Sequence, residues 1–273
     1  MVRELAEAAR AAAMEAGAII RDSIGKMTAS QVHMKGVSDY VTEVDMQCEG
    51  VIMEYLQRRF PRHHIMSEET PNEGMKEGIT WVIDPLDGTA NFIHGFPFVA
   101  VSIAACEDGL PVAGVVLDPI REEVFSATRG GGAHLNGRPI RIRSQVKLQD
   151  TFVATGFPHR TRQWIDPYLA AFREIFLKTG GIRRAGAAAL DLAYLAAGRV
   201  DGFWEMGLKP WDVAAGSLLV LEAGGIVTDF WGGQEHLTNG HIVGGNAMVH
   251  PFLLEIVRGT LAPALEPPGK GTA

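Results

Sequence analysis

The amino-acid sequence predicts an α+β fold of two intimately packed lobes, and three observations carry that expectation. Residues 98–140 read as short strands joined by tight turns, whereas strands and helices alternate from Thr151 onward. No long Gly/Ser linker separates the two regions, and no segment repeats. At 273 residues the chain has length for one large core or two closely associated lobes. The expected division is an N-terminal α+β lobe over 1–150, a C-terminal α/β lobe over 151–262, and a flexible tail over 263–273.

The elements follow from local pattern. Residues 2–24 predict a helix ended by Gly25. A second helix starts near Thr42, where Cys48, Val51, Ile52, Tyr55 and Leu56 keep an i, i+3, i+4 stripe until Phe60-Pro61 stops it. HHIM (63–66) and WVI (81–83) predict short strands. FVAVSIAAC alternates at Val99, Val101, Ile103 and Ala105, and Asp108-Gly109 marks a hairpin into VAGVVLD. EEVFSAT, glycines 130–132 and the Asn136-Gly137 turn continue an antiparallel meander. Beyond it come the strand TFVAT, a helix over 164–178, the strand IRR, a helix over AAALDLAYLAAG and the strand DGFWE. A helix over 211–223 stopped by Gly224-Gly225, the strands IVTDF and HIVGG, and a last helix from Pro251 complete the series.

Composition excludes several classes. With 47% apolar and 21% charged residues the chain is an ordinary globular one. A net charge of −7 argues against a general nucleic-acid or membrane surface, so neither partner is expected. Cys48 and Cys106 are too few for a disulfide framework or a Cys-rich zinc site, and both read as core residues. The N-terminal stretch carries three glutamates, unlike a signal peptide, and no apolar run approaches the ~20 residues that span a bilayer. A cytoplasmic protein is the expectation.

Acids stand at the edges of apolar elements in four places: Glu68-Glu69 after HHIMS, Asp84 and Asp87 after WVI, Asp212 behind Trp211, and Asp45 near the start of a helix. Taken singly, several have bland explanations. Asp45 completes a Thr42-x-x-Asp45 capping box, Asp212 complements a helix dipole, and Glu68-Glu69 read as a solvated loop. DPLDG by itself is a good turn. Clustered carboxylates are costly unless a cation neutralises them, however, and hard divalent cations take oxygen ligands. In DPLDGT the proline fixes the backbone so that two carboxylates and a carbonyl can converge. Gly88-Thr89 adds a close-approaching backbone, a hydroxyl and, if a helix starts there, free N–H groups for a phosphate.

DPLDGTANFIHGFPFVAVSIA resembles the first signature of the inositol monophosphatase family, and WDVAAGSLLVLEAGG (211–225) resembles its second. SDYVTEVD, the SEE acid pair and GAAALDLAYLAAGRVDGFWEMG match in the same order, so the resemblance runs from about residue 5 to residue 250. It implies a layered αβαβα sandwich of the sugar-phosphatase type and a lithium-sensitive, Mg²⁺-dependent phosphomonoesterase. Carried over by position, Glu68, Asp84 and the Leu86 carbonyl hold one Mg²⁺, and Asp84, Asp87 and Asp212 hold a second. A third, weaker ion sits near Glu68. Thr89, paired with Asp45, orients and deprotonates the water that attacks phosphorus. The amides of Gly88 and Thr89 hold phosphate oxygens, and Ala188, Glu205 and Asp212 contact the sugar alcohol. Lys35 matches a basic residue of the family's N-terminal segment, and His94 reads as structural.

The implied substrate is a small phosphorylated sugar alcohol or sugar, with myo-inositol 1-phosphate first. Fructose 1,6-bisphosphate, histidinol phosphate and 3′-phosphoadenosine nucleotides are the alternatives. Gly156-Phe157-Pro158 stands where the animal enzymes carry serines, leaving fewer polar contacts for the alcohol. Arg183 and Arg184 could meet a second phosphate, a solvent face or an acid. The resemblance also implies a homodimer and, in a different functional class, a binding role toward the transcription machinery, with RNA polymerase or antitermination components as partner.

Overall fold

The computed structural model describes residues 1–27, 32–36, 39–70, 74–144, 147–158 and 161–265. In chain order these form α1 (Val2–Ser23), β1 (Val32–Gly36), β2 (Asp39–Thr42), α2 (Glu43–Arg59), β3 (His64–Ser67), β4 (Ile79–Asp87) and α3 (Thr89–Ile93). Then come β5 (Ala100–Glu107), β6 (Leu110–Asp118), β7 (Glu123–Thr128), β8 (Gly132–Leu135), β9 (Arg138–Ile140), β10 (Phe152–Thr155) and α4 (Ile165–Lys178). The series ends with β11 (Gly181–Arg183), α5 (Ala188–Ala196), β12 (Gly202–Glu205), α6 (Pro210–Glu222), β13 (Ile226–Thr228), α7 (His236–Asn239), β14 (Ile242–Gly245) and α8 (Val249–Thr260).

Helix α1 forms because Leu5, Ala8, Ala9, Ala12, Ala13, Ala16, Gly17 and Ile20 fall on one buried stripe. Its small residues let it lie close: a Cβ at Gly17 would stand 2.4 Å from Leu117 Cδ2. With α2 it covers one face of a seven-stranded sheet in the order β3-β4-β5-β6-β7-β8-β9. Only β3 and β4 pair in parallel; the others form the expected meander. Its turns Asp108-Gly109 and Asn136-Gly137 have positive φ at both residues, as tight hairpins of right-twisted strands require. The second sheet runs β11-β10-β12-β14-β13, with β10 parallel to both neighbours and β14 antiparallel to both of its own.

Helices α5 and α6 lie between the two sheets, while α4 and α8 cover the outer face of the second. The layers therefore read αβαβα. Helix α6 is buried without a break from Asp212 to Val220, because a helix held between two sheets has no polar side. Glycines give it room: a Cβ at Gly114 would stand 3.0 Å from Ala215 Cα, and one at Gly216 would stand 2.6 Å from Leu192 Cβ. Cys48 and Cys106 are both buried, and burial pushes their thiols up to about 12.

Several local features differ from expectation. The strand expected over 81–83 extends to Asp87, with irregular pairing: Asp84 faces Ser102 and Asp87 faces Ala100, three steps against two. Pro85 has no N–H for the ladder, which suits this bulge. The β1–β2 hairpin and the single-turn α7 were not foreshadowed by periodicity. Helix α8 begins at Val249 rather than Pro251, because Asn246 Oδ1 accepts the Met248 and Val249 N–H groups and Pro251 fits within a first turn. Of the expected tail, Pro263 and Ala264 belong to a 3₁₀ turn that spans Ala262–Ala264, and 266–273 lie outside the described residues. The side chain of Lys35 also lies outside them. No helix among the described residues is long and apolar enough to cross a membrane.

Substituting Gly114→Val forces a branched side chain between β6 and α6. Urea denaturation is expected to show a loss of about 1–3 kcal/mol. Gly50→Ala in α2, where a Cβ meets nothing within 4 Å, is expected to gain about 0.5–1 kcal/mol in the same measurement.

Candidate active site

The bulge in β4 has a direct consequence. In a regular strand, residues three apart point to opposite faces, so Asp84 and Asp87 would diverge. One extra residue returns both to the same side, at the mouth of a cavity of about 380 Å³ that both residues line. The Leu86 N–H donates to Asp84 Oδ1 at 3.0 Å and fixes the first carboxylate. Asp87 Oδ2 accepts the Ala189 N–H at 2.8 Å. That amide opens α5, where Ala187 at the N-cap has no side-chain acceptor to offer, so a carboxylate 102 residues upstream supplies it.

Glu68 follows β3, and its N–H pairs with Ile83 O at 3.2 Å, which places it beside Asp84. Two residues on, the Thr70 N–H and hydroxyl donate to Glu49 of α2, anchoring the loop. Asp212 arrives from α6. Its Oδ2 accepts the Lys209 N–H at 2.7 Å, and the preceding Trp211 O accepts the hydroxyl of Ser102, the β5 residue paired with Asp84. Glu68, Asp84 and Asp212 thereby bring carboxylate oxygens within 4.8 Å of one another.

Such proximity is electrostatically unfavourable. Burial, and then Glu68, Asp87 and Asp212, hold the Asp84 carboxyl well above its ordinary value of 3.8. Burial and then Asp212 do the same to Asp87. Among the described residues neither Asp84 nor Asp87 has a cationic partner. Oxygen donors with uncompensated repulsion fit a hard divalent cation, and the Leu86 carbonyl adds a neutral oxygen to the same wall.

Gly88 has φ +91°, a conformation costly for any residue with a Cβ, and a Cβ there would stand 3.0 Å from Phe98 O. It turns the chain into α3, whose first residue is Thr89. The Thr89 hydroxyl lies 3.0 Å from Asp45 Oδ1 and 3.1 Å from Leu86 O. Asp45 Oδ2 meanwhile accepts the Thr42 N–H at 2.9 Å and the Thr42 hydroxyl, while Thr42 accepts the Val44 and Asp45 N–H groups. Asp45 is thus a helix cap and a partner of Thr89 at once, one oxygen for each role. Burial raises its carboxyl above the ordinary range, against the hydrogen bonds from Thr42 and Thr89.

Ala188 and Glu205 line the same cavity from the second half of the chain. Glu205 ends β12 with its carboxylate against Gly156, where a Cβ would stand 1.8 Å from Oε1. Any serine at 156 would collide with Glu205 as it lies here. Arg184 lines the cavity with its guanidinium 5.6 Å from the Phe157 ring centre, whereas Arg183 stacks on Phe152 instead. His94, the C-cap of α3, also borders the cavity. Sequence pattern did not single out Asp191, a buried carboxyl raised by burial and by Glu205 and Asp87, because it falls on an apolar helix of unremarkable spacing. Asn91 and Glu49 likewise carried no sequence signal apart from the motifs around them.

The sequence pattern of the inositol monophosphatase family matches residues 1–262. Nus factor SuhB of Pseudomonas aeruginosa is 51% identical over 260 residues, which cover 93% of this chain and 96% of that protein. Inositol-1-monophosphatase of Mesorhizobium japonicum is 44% identical over 252 residues, covering 92% and 95%. The crystal structure of extragenic suppressor protein suhB from Bartonella henselae matches with a TM-score of 0.88 at 42% identity, over 92% of this chain and 97% of that one. With both signatures, the layer order and full-length matches in agreement, this chain belongs to the inositol monophosphatase family.

Proposed function

We propose that this protein is a Mg²⁺-dependent phosphomonoesterase that hydrolyses myo-inositol 1-phosphate to inositol and phosphate. Family membership supports phosphatase chemistry. The observation that carries the reading is the convergence of Glu68, Asp84 and Asp212, with Asp87 beside them and no cation paired to either central aspartate among the described residues. Glu68, Asp84 and the Leu86 carbonyl are the proposed holders of one ion, Asp84, Asp87 and Asp212 of a second, and a third, weaker ion is proposed near Glu68. Such ions, when bound, supply positive charge to the phosphate and acidify a water.

The chain's own groups do the remainder. Gly88 and Thr89 present the phosphate with backbone amides at a turn that a Cβ would obstruct. The Thr89 hydroxyl, held by Asp45, orients the attacking water and passes its proton toward the Asp45 carboxylate, whose raised affinity for protons suits a base. The water oxygen forms the new bond to phosphorus as the bond to the alcohol oxygen breaks, and the alcohol takes up a proton. Ala188, Glu205 and Asp212 form the side on which the alcohol rests. Fructose 1,6-bisphosphate, histidinol phosphate and 3′-phosphoadenosine nucleotides are the competing substrates, and a turnover panel with Mg²⁺ ranks them. Activity on none of the four would sink the reading.

The relatives named Nus factor SuhB favour a second role, in which this chain binds the transcription machinery; that it does so as a cytoplasmic homodimer is part of the same proposal. A pulldown of RNA polymerase and antitermination components with wild type and Asp87→Asn tests it. Partner capture that survives the loss of phosphatase activity is the expected result, and no capture by either protein counts against the role.

Asp212→Asn is expected to lower phosphatase turnover by roughly two to three orders of magnitude while leaving the melting temperature near wild type. An asparagine can still accept the Lys209 N–H, so the cap should survive; gross unfolding would show that the carboxylate's charge at the helix start is structural.

The raised carboxyls also predict a pH dependence. A carboxyl whose folded value exceeds its unfolded value of 3.8 contributes stability that is complete below that pH and lost as pH rises through the folded value. In EDTA, the urea midpoint is therefore expected to fall between pH 4 and neutrality. Mg²⁺ should raise the neutral midpoint. Asp84→Asn, whose amide oxygen can still accept the Leu86 N–H, should flatten the metal-free slope and lose most of the Mg²⁺ gain. An unchanged slope in that variant would contradict the assignment.

A further inference from the structure

Asn91 stands two residues after Thr89, in α3, and its amide nitrogen lies 2.7 Å from Phe98 O, 2.9 Å from Ala185 O and 3.3 Å from Gly186 O. Three carbonyls around one atom require that atom to be the amide nitrogen, since an oxygen there would be repelled. Its two hydrogens go to the two shorter partners, with Gly186 O sharing one. Ala185 and Gly186 belong to the strap that leads from β11 into α5. The same strap carries Arg184 at one end and Ala188 at the other, both of which line the cavity.

The strap is threaded closely. Gly186 has φ +94°, and a Cβ there would stand 2.6 Å from Arg184 Nη1 and 3.2 Å from Asn91 Nδ2. On its other side Gly88 packs so near that a Cβ would stand 3.3 Å from both Ala187 Cβ and Gly186 O. The phosphate turn and the alcohol-facing strap come from halves of the chain some ninety-odd residues apart, |i−j| being 94 for Asn91 and Ala185. Two side chains tie them by hydrogen bonds: Asp87 to Ala189, and Asn91 to Ala185 and Gly186. Asp87 is a proposed cation holder, whereas Asn91 has no such duty.

We propose that Asn91 is a positioning residue that registers the leaving-group wall, residues 184–188, on the phosphate turn, and so sets which alcohols the site accepts. The inference rests on the phosphomonoesterase reading. Without the tie, phosphate is still held by the turn at 88–89, but the hydroxyl-facing groups no longer stand at a fixed reach from it. Small misplacements of that kind degrade selection among leaving groups before they abolish chemistry.

The test uses the full chain with Mg²⁺ in four forms: wild type, Asn91→Ala, Asn91→Ser, which keeps one donor, and Asn91→Asp, which keeps the size but has no N–H. Steady-state kcat and KM are measured for myo-inositol 1-phosphate and for 4-nitrophenyl phosphate, whose leaving group has no hydroxyls to read. Binding of inorganic phosphate with Mg²⁺ is measured by calorimetry. In Asn91→Ala the ratio of kcat/KM for the inositol ester over the aryl ester is expected to fall about tenfold, mostly through KM, the scale of one or two lost hydrogen bonds. Asn91→Ser should restore part of the ratio, Asn91→Asp should be at least as impaired as Asn91→Ala, and phosphate affinity should stay within about threefold. An equal loss on both esters, or an unchanged ratio in the folded variants, overturns the assignment. If Asn91→Asp does not fold, the alanine and serine forms decide. Wild type that hydrolyses neither ester and none of the three competing substrates sinks the phosphomonoesterase reading, and this one with it; wild type active only on a competing substrate overturns this inference alone. An active wild type whose variants keep the ratio sinks this inference alone.

Discussion

Mutual repulsion among buried and half-buried carboxylates is the constraint around which this structure is organised. Glu68, Asp84 and Asp212 present oxygens within 4.8 Å of one another, and Asp87 adds its field from the same wall. Left to themselves such groups would separate or draw in water. They are held because each is attached to an element that is rigid for other reasons. Asp84 and Asp87 sit on a strand buried on both sides, Asp212 on a helix between two sheets, and Glu68 on a loop anchored through Thr70 to Glu49.

The bracing reuses ordinary helix chemistry. Asp45 caps α2 with one oxygen and holds Thr89 with the other, Asp212 caps α6, and Asp87 satisfies an orphan amide of α5. The bland and the chemical explanations of these acids are therefore compatible. A capping carboxylate is already ordered and partly desolvated, and its second oxygen is directed by the first. This lets a small number of residues define the site without dedicated scaffolding.

Small residues in the middle layer make the convergence geometrically possible. Gly114 against Ala215, and Gly216 against Leu192, let α6 approach both the meander and α5 at backbone distance. Bulkier residues there would move Asp212 away from Asp84. The empty side of Gly156 serves a similar end, since the Glu205 carboxylate occupies the space where a side chain would stand. A serine at that position is thus not simply missing; Gly156 and the placement of Glu205 belong together.

By itself the sequence determined the order of most elements, though not the β1–β2 hairpin or α7, together with the meander with its two Asx-Gly turns and the acidic stretches from which the site is drawn. Those features rest on short-range periodicity and turn chemistry, which are written in neighbouring residues. Tertiary structure alone decided that β4 carries a bulge turning Asp84 and Asp87 to one side, a matter of pairing with β5 that WVIDPLDG does not spell out. It also decided that Asn91 reaches Ala185 and that Asp191 is buried near Glu205, and it gave atoms and a distance to the Asp45–Thr89 pair, 44 residues apart, that the sequence resemblance had implied. The physical reason is the same in each case. A side chain's partner across the fold depends on how whole layers pack, and local pattern constrains the layers without specifying which atoms they bring together.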